Sequence, residues 1–159
     1  MISPKLNTSA FGRLSKKDDE EIERAISSVN LTKKANSFVD TLSGGEQKKA
    51  FFAMTLAQDT PLVVLDEPTA HLDTVSRFEF LKLISDMKQK TGKTFLVVMH
   101  DLAEVLRYAD RIITFHNKTV VFNGTSEQCL AEAIPEKYFG IEIRKNENSG
   151  YAVSPLNPN

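Results

Sequence analysis

The sequence predicts an α/β fold, because two short apolar runs alternate with segments of helical periodicity. Leu62–Leu65 is rich in branched residues and lies between Pro61 and Pro68, which is typical of a buried strand. Thr94–Met99 is a second run of this kind. The helical pattern between them is the crossover that parallel strands require, so the two strands are predicted to be parallel and buried.

Helices are predicted where apolar residues recur at helical spacing and a capping residue marks the start. Two of these helices have a recognisable inner face, formed by Ile22, Ala25, Ile26 and Val29 in the first and by Phe78, Leu81, Ile84 and Met87 in the longest. The predicted helices are Asp18–Val29, Gly44–Gln58, Thr74–Lys90, Leu102–Tyr108 and a last one that Ser126 caps and that reaches Ala133.

Turn residues separate two further pairs of strand-like segments toward the C-terminus. His116-Asn117-Lys118 is predicted to join Arg111–Phe115 to Thr119–Asn123, and Asn148-Ser149-Gly150 to join Ile141–Arg144 to Tyr151–Ser154. Residues 1–13 are predicted to be irregular, and residues 155–159 to be frayed.

Two adjacent carboxylates, Asp66 and Glu67, follow the first strand, at the carboxyl end where open α/β sheets bind ligands. One of such a pair can hold Mg²⁺, directly or through water, and the other can polarise an attacking water. With Pro68 and Thr69 following, the alternative is an acidic pair that starts a helix.

Ser43-Gly44-Gly45-Glu46 predicts a helix start, because Ser43 is a good N-cap and Glu46 lies at the capping-box position. An ordinary cap is one interpretation of this segment. The paired glycines also let backbone N–H groups approach a ligand closely, and the amino end of a helix favours an anion. The segment is therefore a candidate phosphate contact.

His100 lies just past the second strand, where it could contact a phosphate, although a lone histidine is more often structural or merely exposed. Asp73 is predicted to cap the next helix, and that could be its whole role. Gly92-Lys93-Thr94 matches the end of a P-loop, but Met87 stands where the loop requires glycine. This tripeptide also leads from a helix into a strand, so it is predicted to be a turn.

These segments, taken in order, resemble the ATP-binding-cassette (ABC) ATPases. Leu42–Gln47 resembles the ABC signature, and Leu62–Glu67 resembles Walker B with its catalytic glutamate. Ala70-His71-Leu72-Asp73 resembles the D-loop, and His100 resembles the switch histidine. The resemblance covers nearly the whole chain, and it implies ATP and Mg²⁺ as cofactors.

The resemblance also implies a role for each matching residue. Asp66 would help to hold Mg²⁺, Glu67 would activate water, and His100 would contact the γ-phosphate. Asp73 would couple the two sites of a head-to-tail dimer. In that dimer the signature residues would contact the ATP bound to the second subunit, and those residues are Ser43, Gly44, Gly45 and Glu46.

The flanking segments resemble the importers of iron–siderophore, haem and cobalamin. Phe11–Asp18 is similar to part of their helical subdomain, and Tyr138–Glu142 is similar to their C-terminal end. The resemblance implies an ATPase subunit at the cytoplasmic face of the membrane, bound to permease subunits. It divides the chain into a helical-subdomain end with the signature helix (1–58), part of a RecA-like core (59–144) and a tail (145–159).

The chain contains no Gly-x-x-x-x-Gly-Lys-Ser/Thr loop. The resemblance therefore predicts a partial P-loop NTPase that lacks the N-terminal part with Walker A, and this chain by itself is expected to be inactive. Two alternatives stay open at this point. One is a non-transport ABC ATPase of the DNA-repair or chromosome type, although no sustained heptads occur. The other is a non-catalytic module that docks or regulates.

Composition gives only general limits on function. The net charge of −1 provides no broad basic field for nucleic acid. The single cysteine, Cys129, has no partner for an internal disulfide, so it is expected to be a small core residue in a reducing compartment. No apolar stretch approaches the length of a membrane span.

Overall fold

The computed structural model describes residues 16–146 and 150–156, and contacts divide the chain into two compact units, one ending at Val98 and one beginning at Met99. The predicted division at 58/59 and 144/145 follows family subdomains and stays a prediction. The helices are α1 (Lys16–Ser28), α2 (Gly44–Ala57), α3 (Thr74–Thr91), α4 (Leu102–Tyr108), α5 (Ser126–Ala131) and α6 (Ile134–Phe139). The strands are β1 (Leu62–Asp66), β2 (Thr94–Val98), β3 (Ile112–His116), β4 (Thr119–Gly124), β5 (Ile141–Lys145) and β6 (Tyr151–Pro155).

The first unit contains a parallel pair of strands, as the sequence predicts. β1 and β2 pair in register from Leu62 with Thr94 to Asp66 with Val98, and α3 forms the crossover between them. Lys93 ties the start of β2 to the segment before β1, because its ammonium lies 2.9 Å from an Asp59 carboxylate oxygen. The carboxyl ends of the two strands therefore lie side by side.

The prediction that both strands are buried is wrong for one face of the sheet. Successive side chains of a strand point to opposite faces. Val63 is 1% exposed and the Phe95 ring lies 6.1 Å from the Phe52 ring of α2, so this face is covered. The apolar side chains of the other face are between 46% and 56% exposed, and these are Leu62, Val64, Leu96 and Val98.

The inner face of α3 differs from the prediction at one residue. Phe78 is 42% exposed, whereas Phe80 is buried with Leu81, Ile84 and Met87. The error arises because Phe78 precedes Met87 by nine residues, which places it about 180° around the helix. Phe80 lies within about 20° of Met87 on the same face, and its ring packs 5.6 Å from Phe52.

Helix α1 packs against α2, and its predicted inner face is confirmed. Ala25 and Ile26 are buried and Ile22 is partly buried, while Val29 just past the helix is fully buried. Two short 3-10 turns, at Thr32–Lys34 and Val39–Thr41, lead from α1 to α2. The predicted irregular segment 1–13 lies outside the described residues.

In the part of the second unit that the structure describes, two hairpins and three short helices surround one core. This core contains the buried side chains of Leu106, Ile112, Phe122, Cys129, Ile134 and Ile143. β3 and β4 turn through Asn117 and Lys118, both with positive φ, as expected for a two-residue hairpin turn. Burial raises the pKa of the Cys129 thiol, as expected for a core cysteine.

Two predictions for the second unit need correction. Thr125 rather than Ser126 caps α5, because the Thr125 hydroxyl accepts from the backbone N–H of Gln128. Ser126 is buried and donates to the backbone carbonyl of Leu106 at 3.0 Å. Pro155 belongs to β6 and is not frayed, whereas the predicted turn residues Asn148 and Ser149 and residues 157–159 lie outside the described part.

No helix within the described ranges is long and apolar enough to cross a membrane.

Candidate functional site

The first turn of α2 begins with Gly44 and Gly45 after the cap residue Ser43, and these three residues are called the glycine turn. The Ser43 hydroxyl accepts from the backbone N–H of Glu46 at 3.4 Å, and the Ser43 backbone N–H donates to Glu46 Oε2 at 3.0 Å. This is the reciprocal capping box that the sequence predicts. A Cβ added at Gly44 would meet no atom within 4 Å, so the backbone is accessible at that position.

A lysine from a separate segment holds the carboxylate of this cap. Lys34, in the 3-10 turn after α1, places its ammonium 2.6 Å from Glu46 Oε1. The hydrogen bonds from Lys34 and from Ser43 lower the pKa of Glu46 from 4.5 to about 2. Glu46 is therefore ionised throughout the physiological range. No local sequence pattern predicts this pair, because Lys34 and Glu46 are 12 residues apart in the chain.

Asp73 caps α3 and lies close to the glycine turn. Its Oδ1 accepts from the backbone N–H groups of Val75 and Ser76, each at 3.0 Å. Its Oδ2 accepts from the Ser76 hydroxyl at 2.6 Å, and the hydrogen bonds from Ser76 are the main cause of a lowered pKa at Asp73. A Cβ added at Gly45 would lie 3.6 Å from Ser76 Oγ. Ser76, which is hydrogen-bonded to Asp73, therefore lies beside Gly45.

The two carboxylates of the predicted magnesium and water site end β1. Asp66 is the last residue of β1 and is exposed. Glu67 is also exposed and has a φ of 41°, in the left-handed region. Its backbone N–H donates to the Val98 carbonyl at 3.0 Å, and its own carbonyl accepts from Ala70 at 3.0 Å. The chain thus bends sharply out of the sheet at Glu67, so no helix starts at the acidic pair.

The chemistry of these residues suits an Mg²⁺–nucleotide only if the nucleotide supplies ligands. Carboxylate oxygens are what Mg²⁺ prefers, and the ion usually keeps waters and phosphate oxygens in its shell. Among the residues that the structure describes, no group of three or more His, Cys, Asp or Glu side chains could hold a metal ion. One or two carboxylates of this chain would therefore act together with phosphate and water.

A groove of about 240 Å³ lies between the glycine turn and the turn after β1. One wall comes from α2, with Gly44, Gln47, Lys48 and Phe51 at helical spacing. The other wall is formed by Ala70, His71 and Leu72, and His71 has a φ of 64°. Gln47 is predicted only as part of the signature, and Lys48 and Phe51 are not predicted at all, although their spacing along α2 places all three on the same face as Gly44.

His100 follows β2 by two residues and is exposed. It belongs to the second compact unit, next to Asp101, which caps α4 by accepting from the backbone N–H of Glu104.

Among the predicted site residues, the structure brings Ser43, Gly44, Gly45, Glu46 and Asp73 together, and it places Asp66 and Glu67 at the end of β1. The role of His100 stays a prediction.

Comparisons with known proteins agree with the motifs. The ABC transporter family matches residues 2–70. A petrobactin import ATP-binding protein of Bacillus anthracis is 36% identical over 132 residues, which are 83% of this chain and 48% of that protein. The ferric enterobactin transport ATP-binding protein of Escherichia coli K12 is 35% identical over 131 residues, which are 82% of this chain and 48% of that protein. The chain spans about half the length of these relatives.

The fold is also that of known ABC proteins. The structure of a metal-chelate type ABC transporter in an inward-facing conformation superposes with a TM-score of 0.82 at 23% identity, covering 94% of this chain and 61% of that one. At this identity the likeness shows the fold alone. It is the sequence matches that relate this chain to the ATP-binding proteins of ABC transporters, over about half the length of those proteins.

Proposed function

We propose that this chain is part of the ATP-binding and ATP-hydrolysing subunit of an ABC importer for iron chelates or similar metal complexes. The observation that carries the proposal is the pair Asp66 and Glu67 at the carboxyl end of β1, in the same unit as a capped glycine turn. The similarity to siderophore import proteins supports the substrate class. The complete subunit would work beside permease subunits, at the cytoplasmic face of the membrane.

Each candidate residue has a role that its position supports. Glu67 polarises the attacking water, and Asp66 holds Mg²⁺ directly or through water. Bound Mg²⁺ would supply positive charge that offsets the charge developing on the phosphate oxygens. The exposed backbone at Gly44 and the amino end of α2 suit a nucleotide phosphate. His100 contacts the γ-phosphate in this proposal.

A second subunit completes each site in this proposal. Ser43, Gly44, Gly45 and Glu46 contact the ATP that the partner ATPase subunit holds in a head-to-tail dimer. Asp73 couples the two sites, which its connection to Gly45 through Ser76 supports. The electrostatic preorganisation of donors around the transferred phosphoryl group supplies most of such catalysis.

The test measures ATP turnover by the full-length protein that the gene encodes and that contains these residues. Glu67→Gln should lower kcat about 10²–10⁴-fold while ATP binding persists, because the amide keeps the shape and removes the base. Glu23→Gln, on the exposed side of α1, is the matched control and should leave turnover unchanged. Normal turnover in Glu67→Gln would show that Glu67 is not the base.

The 159-residue chain by itself provides a second comparison. It should hydrolyse no ATP above background, because no P-loop pattern occurs in it to bind the β- and γ-phosphates. Mg²⁺-dependent turnover by the pure chain that Glu67→Gln abolishes would contradict this expectation. Turnover that Glu67→Gln does not change would indicate a contaminating enzyme.

A further inference from the structure

The Glu46 carboxylate places a negative charge at the glycine turn, where the proposed function requires a negatively charged nucleotide phosphate to bind. Glu46 lies in the first turn of α2, three residues after the cap, and hydrogen bonding keeps it ionised. The amino end of a helix favours one anion, and the Glu46 carboxylate already occupies this favourable field. An uncompensated carboxylate there would repel a nucleotide phosphate.

Lys34 is placed to compensate this charge. Its ammonium lies 2.6 Å from Glu46 Oε1, while Glu46 Oε2 accepts from the Ser43 backbone. Each carboxylate oxygen thus has its own donor, and the ion pair is partly shielded, since 46% of the Lys34 side chain and 28% of the Glu46 side chain are exposed. A hydrogen bond between two charged groups is shorter and stronger than one between neutral groups.

We propose that Lys34 is a positioning residue that neutralises Glu46, so that the glycine turn can accept a nucleotide phosphate. The inference rests on the proposed function, since it concerns the same phosphate contact. Lys34 touches neither the phosphate nor the reacting atoms in this proposal. It acts through Glu46, by pairing with the Oε1 oxygen of the carboxylate while Oε2 stays bonded to the Ser43 backbone N–H.

A purely structural role for Lys34 predicts a different pattern of mutant effects. Glutamine satisfies the capping box as well as glutamate does, but it carries no charge. If charge compensation is the role, a glutamine at position 46 makes Lys34 dispensable. If Lys34 mainly ties two segments together, its loss is harmful whichever residue stands at position 46.

The first measurement follows the ionisation of Glu46 in this chain by carboxyl-carbon NMR. Lys34→Met should raise the pKa of Glu46 from about 2 toward its ordinary value of 4.5, because the largest cause of the lowered pKa is the Lys34 hydrogen bond. Lys34→Arg should keep the pKa low. Lys33→Met removes the same charge one residue earlier and is the matched control. An unchanged Glu46 pKa in Lys34→Met would overturn the inference.

The second measurement is steady-state ATP turnover by the gene product of natural length. Lys34→Met should raise KM for ATP about two- to fivefold with a smaller effect on kcat, the range expected for one charge near a helix end. Lys34→Arg should restore KM, and Lys33→Met should not change it. In a protein that already carries Glu46→Gln, adding Lys34→Met should change KM no further. A rise in KM from Lys34→Met that is as large in the Glu46→Gln background as in wild type would overturn charge compensation.

The outcomes separate this inference from the proposed function. A wild-type protein that turns over ATP while Lys34→Met matches it in KM would overturn the inference alone. A wild-type protein of natural length without ATP turnover would overturn the proposed function, and the inference with it, even if the Glu46 pKa responds to Lys34.

Discussion

Single carboxylates organise the amino ends of the helices next to the candidate site. Asp73 satisfies two backbone N–H groups and one hydroxyl at the start of α3, and its pKa is lowered mainly by the hydrogen bonds from Ser76. Helices leave their first N–H groups without intrahelical partners, so such a cap fixes where the helix begins. The position of Ser76 against Gly45 therefore depends on Asp73.

Replacement of the Asp73 cap should reduce stability in a pH-dependent manner. Because folding lowers the pKa of Asp73, its charge stabilises the fold fully above its ordinary pKa of 3.8, and this contribution is lost as pH falls below that value. Asp73→Ala should lower the urea midpoint at pH 7 more than Ser76→Ala, which removes one hydrogen bond. Asp73→Asn keeps a side-chain oxygen that can cap the helix, but it removes the carboxyl group that gains or loses a proton.

Urea denaturation of wild type, Asp73→Ala, Asp73→Asn and Ser76→Ala, repeated about every pH unit between pH 2 and 7, checks this prediction. The difference in urea midpoint between wild type and Asp73→Asn should become smaller as the pH falls. A gap that stays constant down to pH 2 would show that the Asp73 charge adds nothing to its capping role.

The sequence predicts residue-scale features when their cause is local. Ser43, Glu46 and Asp73 are predictable because a cap and its backbone partners lie within three residues of each other. Lys34 and Ser76 are not predictable, because Lys34 pairs with Glu46 across a loop and Ser76 lies beside Gly45 of another helix. Contacts of this kind depend on how elements pack, and no local pattern encodes them.

At the scale of elements, Phe52 determines how α2 lies in the first unit. Its ring packs 5.6 Å from Phe80 of α3 and 6.1 Å from Phe95 of β2, and the residue is 2% exposed. The glycine turn at the start of α2 is therefore held relative to both the sheet and α3. The next residue toward the turn, Phe51, is 53% exposed and lies in the groove wall.

The adjacent phenylalanines of α2 provide a matched test of this packing. Phe52→Ala should lower the free energy of unfolding by about 3–5 kcal/mol, because it leaves a cavity between three elements. Phe51→Ala makes the same chemical change at the exposed position and should cost within about 1 kcal/mol. Urea denaturation measures both values. Equal losses in the two variants would contradict the packing described for α2.

The sequence predicts most elements of the fold, but it does not predict which faces are covered. The boundaries of α2, β1 and β2 agree with the prediction within one residue, since caps, prolines and apolar runs mark them. The exposure of Val64 and Leu96 could not be predicted, because apolar composition does not say how many layers cover a sheet. The prediction that Phe78 lies on the inner face of α3 is wrong, because residues spaced three apart do not stay on one face of a helix over several turns.

At the scale of the whole molecule, the uncovered sheet face distinguishes this chain from an ordinary α/β domain. Parallel sheets normally have both faces covered. Here Leu62, Val64, Leu96 and Val98 form a contiguous apolar group on paired strands. Large apolar surface of this kind is a known cause of association.

The chain is therefore expected to self-associate through this face. Val64→Thr together with Leu96→Gln should reduce association, because both changes place polar groups on the exposed face and leave Val63 and Phe95 in the core. Sedimentation velocity over a roughly hundredfold concentration range measures the effect. Val153→Thr, at an exposed position of β6, is the control. A wild-type chain that sediments as a monomer throughout would refute the prediction.

The pairing of β1 with β2 across the whole of α3 also has a kinetic consequence. Leu62 can pair with Thr94 only after the chain has closed a long loop. This closure costs conformational entropy before any contact between the two strands stabilises it. β3 and β4 need only the two-residue turn at Asn117 and Lys118, and hairpins of this kind form in about 1–10 μs. The strand end that carries Asp66 and Glu67 is thus expected to be among the last parts of the chain to form during folding.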